Sequence, residues 1–185
     1  MKVLLSWLNE YGDFGDPSNS DDVARVADAL TALGLEVESL EPLGDTVPGV
    51  VTARILRLEA HPDAAKVQRV YVDAGGGEEL HVWCGADNIS VDDIVPLATL
   101  GTTMPNGMTI ERRGILGIDS EGMLCSASEL GMGDDHSGIR LLPADTPLGV
   151  PYGDALQIAP DVLIDADVTR NRPDCWGYVG IARDL

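Results

Sequence analysis

Val67-Gln68-Arg69-Val70-Tyr71-Val72-Asp73-Ala74-Gly75-Gly76-Gly77-Glu78-Glu79-Leu80-His81-Val82-Trp83-Cys84 sets two valine-rich runs on either side of a glycine-rich break. Glycine adopts the positive φ that tight turns require, so residues 73–78 read as a hairpin turn between two strands. Similar runs occupy residues 50–58, 94–100 and 108–118, and Pro105-Asn106-Gly107 marks a second turn. Five strand-like runs in this order suggest a small closed sheet. Gly85, Gly101, Gly114 and Gly117 stand at or near run ends, where a barrel must bend and a side chain would obstruct.

Outside this region the period changes. Ser6 is placed to cap a short helix through Tyr11, ended by Gly12, Gly15 and Pro17. Ser20, followed by Asp21 and Asp22, puts a cap and two carboxylates at the positive end of a second helix dipole. Val23, Val26, Ala27, Leu30 and Leu33 then recur at helical spacing until Gly34. Residues 35–40 alternate apolar with polar, as a strand with one wet face does. The Pro- and Gly-rich stretch 142–151 reads as a boundary, and beyond it residues 162–168 alternate imperfectly and could pair with the strand at 35–40. That pairing would make the middle an insertion in a domain built from both chain ends. Pro173 and Asp174 are expected to start and cap a last helix, in which Gly177 and Gly180 suggest a close-packing face. The expected class is α+β, with a five-stranded barrel over residues 47–150 inserted into a small mixed α/β domain formed by residues 1–46 and 151–185.

Composition narrows the chemistry. The 185 residues are 44% hydrophobic and hold enough apolar mass for a core, yet only 4% are aromatic, so stacking platforms for single strands are few. No apolar run nears the roughly 20 residues of a membrane span, and the start lacks a signal-peptide pattern, so a cytoplasmic address and no membrane partner are expected. Three separated cysteines, Cys84, Cys125 and Cys175, suit a reducing compartment. The net charge of −19 opposes nonspecific binding to nucleic acid. Residues 47–150 hold 7 basic and 15 acidic side chains, the flanks 5 and 16, so any contact with RNA must be local.

No phosphate loop, dinucleotide fingerprint or nucleophile elbow occurs, and no catalytic residue is assigned. His81 and Cys84 have half the spacing of a zinc site, but positions three apart in a strand face opposite sides, and no second pair completes it. His136, in a Gly-rich loop with Asp134 and Asp135, could hold a divalent ion weakly, although a solvated loop explains it better. No metal site is expected. Arg54, Arg57, Lys66, Arg69, Arg112 and Arg113 are the candidate phosphate contacts, since guanidinium forks bind phosphate bidentately. Adjacent arginines on a strand point oppositely, so one of Arg112 and Arg113 would serve a given groove. Ser120-Glu121-Gly122-Met123 reads as a turn, and Asn171-Arg172-Pro173-Asp174 as a helix start.

Several segments also carry a resemblance. His61-Pro62-Asp63-Ala64 with Lys66, Cys84-Gly85-Ala86 with Asn88, Arg113-Gly114 and Ser120-Glu121-Gly122-Met123 resemble a tRNA-binding OB-fold. That fold occurs in the phenylalanyl-tRNA synthetase beta subunit, in some methionyl-tRNA synthetases and in free-standing tRNA-binding proteins. The flanks, Leu5-Ser6-Trp7-Leu8, Leu33-Gly34-Leu35-Glu36-Val37-Glu38 and Val168-Thr169 with Asn171-Arg172-Pro173-Asp174-Cys175, are similar to the amino-terminal region of the bacterial beta subunit. The resemblance implies a noncatalytic, accessory tRNA-contacting and scaffolding part of an α2β2 ligase. Its partners would be tRNA, the alpha subunit and the remaining beta-subunit modules. ATP and Mg2+ would serve the parent enzyme, whose catalysis lies on the alpha subunit, and no cofactor is expected in this chain. A free-standing tRNA-binding or protein-assembly OB module is the alternative.

Overall fold

The computed structural model describes residues 1–60, 66–115 and 118–185. In chain order the elements are β1 (Lys2–Leu4), α1 (Leu5–Leu8), α2 (Ser20–Ala32), β2 (Glu36–Leu43), β3 (Val50–Ala60), β4 (Gln68–Asp73), β5 (Glu79–Cys84) and β6 (Ile94–Thr99). They continue with β7 (Arg113–Ile115), β8 (Ile118–Ser120), β9 (Gly122–Leu124), α3 (Tyr152–Ala155), β10 (Asp161–Asp167) and α4 (Tyr178–Asp184). Two compact units result: Met1–Asp45 with Ala159–Leu185, and Thr46–Ile158.

The unit built from both ends is a three-stranded antiparallel sheet in the order β1-β10-β2. β10 pairs Ile164 with Val3 on one side and with Leu40 on the other. Val162, Ile164 and Ala166 are buried on alternate positions, which is how a strand with one wet face reads. They pack with Leu5, Leu8, Val23, Val26, Leu30, Leu35 and Ile181, drawn from α1, α2 and α4. α2 begins one residue earlier than its sequence suggests. Asn19 is the cap, its Oδ1 accepting from the Asp21 and Asp22 amides, and Ser20 is the first helical residue. The helix ends in a Schellman turn: Leu35 N donates to Leu30 O at 3.0 Å, Gly34 takes φ +83°, and the buried Leu30 and Leu35 side chains close it.

Two other helix starts differ from expectation for one reason, a stronger partner for the capping side chain. Ser6 does not cap α1, whose cap position is Leu4; its hydroxyl and amide bond the Asp161 carboxylate instead. Asp174 lies in a 3-10 turn over Pro173–Cys175, and α4 starts later, with Gly177 as its cap residue. The Asp174 carboxylate accepts from Arg172 and Arg183. Gly180 packs internally, because an added Cβ would lie 1.7 Å from the Asp174 carbonyl oxygen; nothing lies within 4 Å of the same position on Gly177.

The middle unit is a five-stranded antiparallel sheet in the order β5-β4-β3-β6-β9. β3 is long enough to pair with both β4 and β6. The sheet curls until its edges nearly meet: Glu121 N donates to His81 O at 2.9 Å and Trp83 N donates to Ser120 Oγ at 3.2 Å. This is an OB-type barrel within an α+β fold, and Ala53, Ile55, Val70, Val72, Val82, Val95, Leu97 and Leu124 fill it. The fifth strand is β9. The run at 108–118 instead leads into the separate β7–β8 hairpin. Gly122 permits this closure, since a Cβ there would lie 2.7 Å from the Ala98 carbonyl oxygen across the β6 pairing. The turns expected at 73–78 and 105–107 form, with Gly75, Gly77 and Gly107 all at positive φ. The unit extends to Ile158 because buried Tyr152 on α3 packs with Val47, Val50 and Met104, and its hydroxyl accepts from Val47 N at 3.4 Å.

Candidate nucleic-acid interface

A bulge between Ile55 and Arg57 inserts Leu56 into β3 and brings Arg54, Arg57 and Glu59 to the outer face. Alternation does the same for Arg69, Tyr71 and Asp73 on β4 and for Glu79, His81 and Trp83 on β5, while Val70, Val72 and Val82 point inward. Cross-strand register then sets three rows: Arg54, Asp73 and Glu79; Arg57, Tyr71 and His81; Glu59, Arg69 and Trp83. Cations, aromatics and carboxylates alternate over this face.

The contacts follow the rows. Arg57 Cζ sits 3.3 Å from the Tyr71 ring centroid, and Arg69 Cζ lies 4.9 Å from Tyr71 and 6.0 Å from Trp83. His81 meets Tyr71 at 5.8 Å and Trp83 edge-on at 5.7 Å between ring centroids. Tyr71, His81 and Trp83 are buried, and Arg57 is half-exposed above them. The Arg57 guanidinium bonds Glu79 and Glu59, which raises its own pKa and holds the Glu79 carboxyl below its usual range. His81 is pushed below the ordinary imidazole value, first by burial and then by Arg69. Its Nε2 and the Nε of Arg69 are buried with no hydrogen-bond partner among the described residues. Such groups are costly when left alone, and a polar ligand edge would satisfy them.

Beside this face a cleft of about 370 Å³ opens between Trp83, Met108, Ile110, Arg113, Ser120 and Met123. Arg113 on β7 lines it, and Arg112 reaches Glu121 at 3.6 Å. Ser120 Oγ donates to Gly122 O at 2.9 Å while accepting from Trp83 N, so its hydroxyl is spent on closing the barrel beneath the cleft. Arg54 and Arg69 thus share the outer face of β3 and β4, while Arg113 lines the adjoining cleft and Arg112 is paired with Glu121. Lys66, just before β4, is exposed. His61 and Pro62 lie outside the described residues. The same face holds Tyr71 and Trp83, which the sequence reading did not single out, and His81, weighed there only as half a zinc site; the outward phase of the alternation 69-71-73 and 79-81-83 is the signal that places them.

The other candidates are structural. Arg172 joins the α2 end to the 3-10 turn and α4, donating to Leu33 O at 3.2 Å and to Asp174 and Asp184. Asp174, Cys175 and Asp184 bring possible metal-ligating atoms within 4.8 Å of one another, but the Arg172 guanidinium lies among them and bonds all three. Asn171 is exposed in the preceding turn, which Arg172 N closes by donating to Thr169 O at 2.9 Å. His136 accepts or donates at Nδ1 to Ser128 Oγ at 2.6 Å in an exposed loop.

The family described as "Putative tRNA binding domain" matches residues 50–151, more than half of the chain and nearly all of the barrel unit. The chain belongs to this tRNA-binding-domain family. Over its whole length it is also 48% identical to the phenylalanine–tRNA ligase beta subunit of Anaeromyxobacter dehalogenans and 43% identical to that of Syntrophus aciditrophicus. It spans 22% of the length of each of these curated relatives. A MetRS-related protein from Pyrococcus horikoshii is similar at 18% identity and TM-score 0.39, over 54% of this chain and 84% of that one. The C-terminal domain of Plasmodium vivax p43 is similar at 19% identity and TM-score 0.40, over 58% of this chain and 61% of its own. The family match coincides with the unit whose outer face carries the cation and aromatic rows. Among the described residues, no helix is long and apolar enough to cross a membrane.

Proposed function

We propose that the chain is the noncatalytic amino-terminal part of a phenylalanine–tRNA ligase beta subunit, and that its barrel supplies an accessory tRNA-contacting face. The observation that carries this reading is the coincidence of the family match with the Arg57–Tyr71–Arg69–Trp83 face and its adjoining cleft. OB-folds use this side of the barrel and its connecting loops for oligonucleotides. Arg69 and Arg113 would meet phosphate, and the cleft that Trp83 lines would admit a base. The unit built from both ends acts as scaffold. Exposed Trp7, Tyr11 and Trp176 on it support contact with protein, since aromatic anchors concentrate at such interfaces.

Within this reading the remaining beta-subunit modules and the alpha subunit of an α2β2 enzyme are the protein partners, and the setting is cytoplasmic. Attachment of phenylalanine to tRNA, with ATP and Mg2+, belongs to the alpha subunit, and this chain holds neither cofactor. Binding to unmodified tRNA over a salt series tests the RNA role. The reading expects finite affinity at low salt whose logarithm falls linearly with log salt, with a shallow slope of roughly two to four, because few cations are free. Arg69→Ala together with Arg113→Ala should lower the slope by about two. Absence of binding at low salt would remove the RNA role and leave the barrel as a protein contact.

A further inference from the structure

Arg57 presents an unusual surface because its in-plane nitrogens are already engaged. Nε and Nη2 bond the Glu79 carboxylate at 3.4 and 2.7 Å, and Nη1 bonds Glu59. Its Cζ lies 3.3 Å from the Tyr71 centroid, a separation at which the guanidinium lies flat on the ring, since an edge-on approach would hold it further away. Glu59 also accepts from the Tyr71 hydroxyl at 3.0 Å, tying the two layers together. One π face of the guanidinium is therefore covered and its in-plane edges are turned to carboxylates. The opposite π face remains, on a side chain that is 45% exposed.

A phosphate requires the in-plane N–H fork, whereas an unpaired base requires a flat face. Glu59 and Glu79 offset the charges of Arg57 and of Arg69, whose Cζ lies 4.9 Å from the Tyr71 centroid, so this spot has no excess positive charge to draw a phosphate and is indifferent to a neutral base. We propose that Arg57 is the floor of a binding site for one unpaired nucleobase of the RNA. The base stacks on the outer face of the guanidinium, Tyr71 supports it from below, and Glu59 and Glu79 are positioning residues that hold the plane. This deepens the tRNA-contacting reading and rests on it. Such recognition tolerates any base, because each has a π face, and it suits a chain too acidic to hold RNA by its phosphates.

The test uses this chain with two probes, a short labelled oligoadenylate and unmodified tRNA, across a salt series, with Arg57→Ala, Arg57→Lys and Glu79→Ala variants whose folding is checked by circular dichroism. Both Arg57 variants should weaken oligoadenylate binding on the order of tenfold, the scale of one stacked base, while the salt slope stays unchanged. Lysine fails here because it keeps the charge and loses the plane. Glu79→Ala should weaken binding even though it removes a negative charge, and an abasic oligonucleotide should bind the wild type and Arg57→Ala equally. Wild-type affinity in Arg57→Lys, a salt slope about one unit lower in Arg57→Ala, or tighter binding by Glu79→Ala would each overturn the proposal in favour of a phosphate contact. If tRNA binds and the Arg57 variants match the wild type, the stacking site alone fails. If neither probe binds any form, the tRNA-contacting reading fails with it.

Discussion

At Gly122 and Gly180 the absent side chain is what the fold uses. A Cβ on Gly122 would approach the Ala98 carbonyl oxygen to 2.7 Å and Leu97 Cδ1 to 3.0 Å; on Gly180 it would approach the Asp174 carbonyl to 1.7 Å. Backbone cannot yield as a flexible side chain can, so alanine at either site should destabilise its own unit by roughly 1–3 kcal/mol, with Gly180 the worse, as measured by denaturant midpoints. Gly177→Ala, which meets nothing within 4 Å, should cost far less. Asp174 gives a pH signature. Arg172 is the main cause that holds its carboxyl down at about 2, from an ordinary value of 3.8. A carboxyl depressed on folding stabilises the folded state above its unfolded pKa, and that contribution disappears as pH falls through the folded one. The gap in melting temperature between wild type and Asp174→Asn should therefore hold from neutral pH to about 4 and close between about 4 and 2. A gap that stayed constant to pH 2 would mean that the Arg172–Asp174 pair is not formed.

Between residue and element, the Ser120 hydroxyl links the barrel's closing edge to β5. Ser120→Ala removes the hydroxyl that accepts from Trp83 N and donates to Gly122 O, which should cost roughly 1–3 kcal/mol and speed exchange of the Trp83 amide before others in β5. Unchanged protection at Trp83 would place the closure elsewhere. The elements legible in the sequence were those whose signal is local and periodic: α2 from its helical apolar spacing, β4 and β5 from valine alternation around Gly75–Gly77, and β10 from residues 162–168 pairing with β2. Those that escaped depend on distant partners. Ser6 and Asp174 look like caps until Asp161, Arg172 and Arg183, brought near by the fold, take their oxygens. β9 is three residues long and is defined by its close approach to β6, which no window of sequence displays. On the candidate face the cations stand out by charge, whereas Tyr71 and Trp83 carry no signal of their own and His81 reads only as half of an incomplete zinc site. Their common outward phase is tied to the cations by the cross-strand register that lays Arg57 over Tyr71, a contact between distant residues.

For the whole molecule, the central tension is a chain of net charge −19 in a tRNA-binding-domain family. The proposed resolution lies on one side of the barrel, where arginines are spaced among aromatics and two of them, Arg57 and Arg112, are paired with carboxylates. Affinity there should come from stacking and a few phosphate contacts, so tRNA binding should fall less steeply with salt than for a protein with a basic groove. The most direct measurement is a map of backbone amide chemical shifts while unmodified tRNA is titrated into the isotope-labelled chain at low salt. Shifts concentrated on residues 54–59, 69–73, 79–83 and 112–123, with α2 and β10 unperturbed, are the predicted result. Shifts spread over the unit built from both ends, or none at saturating tRNA, would contradict the assignment of this face to RNA.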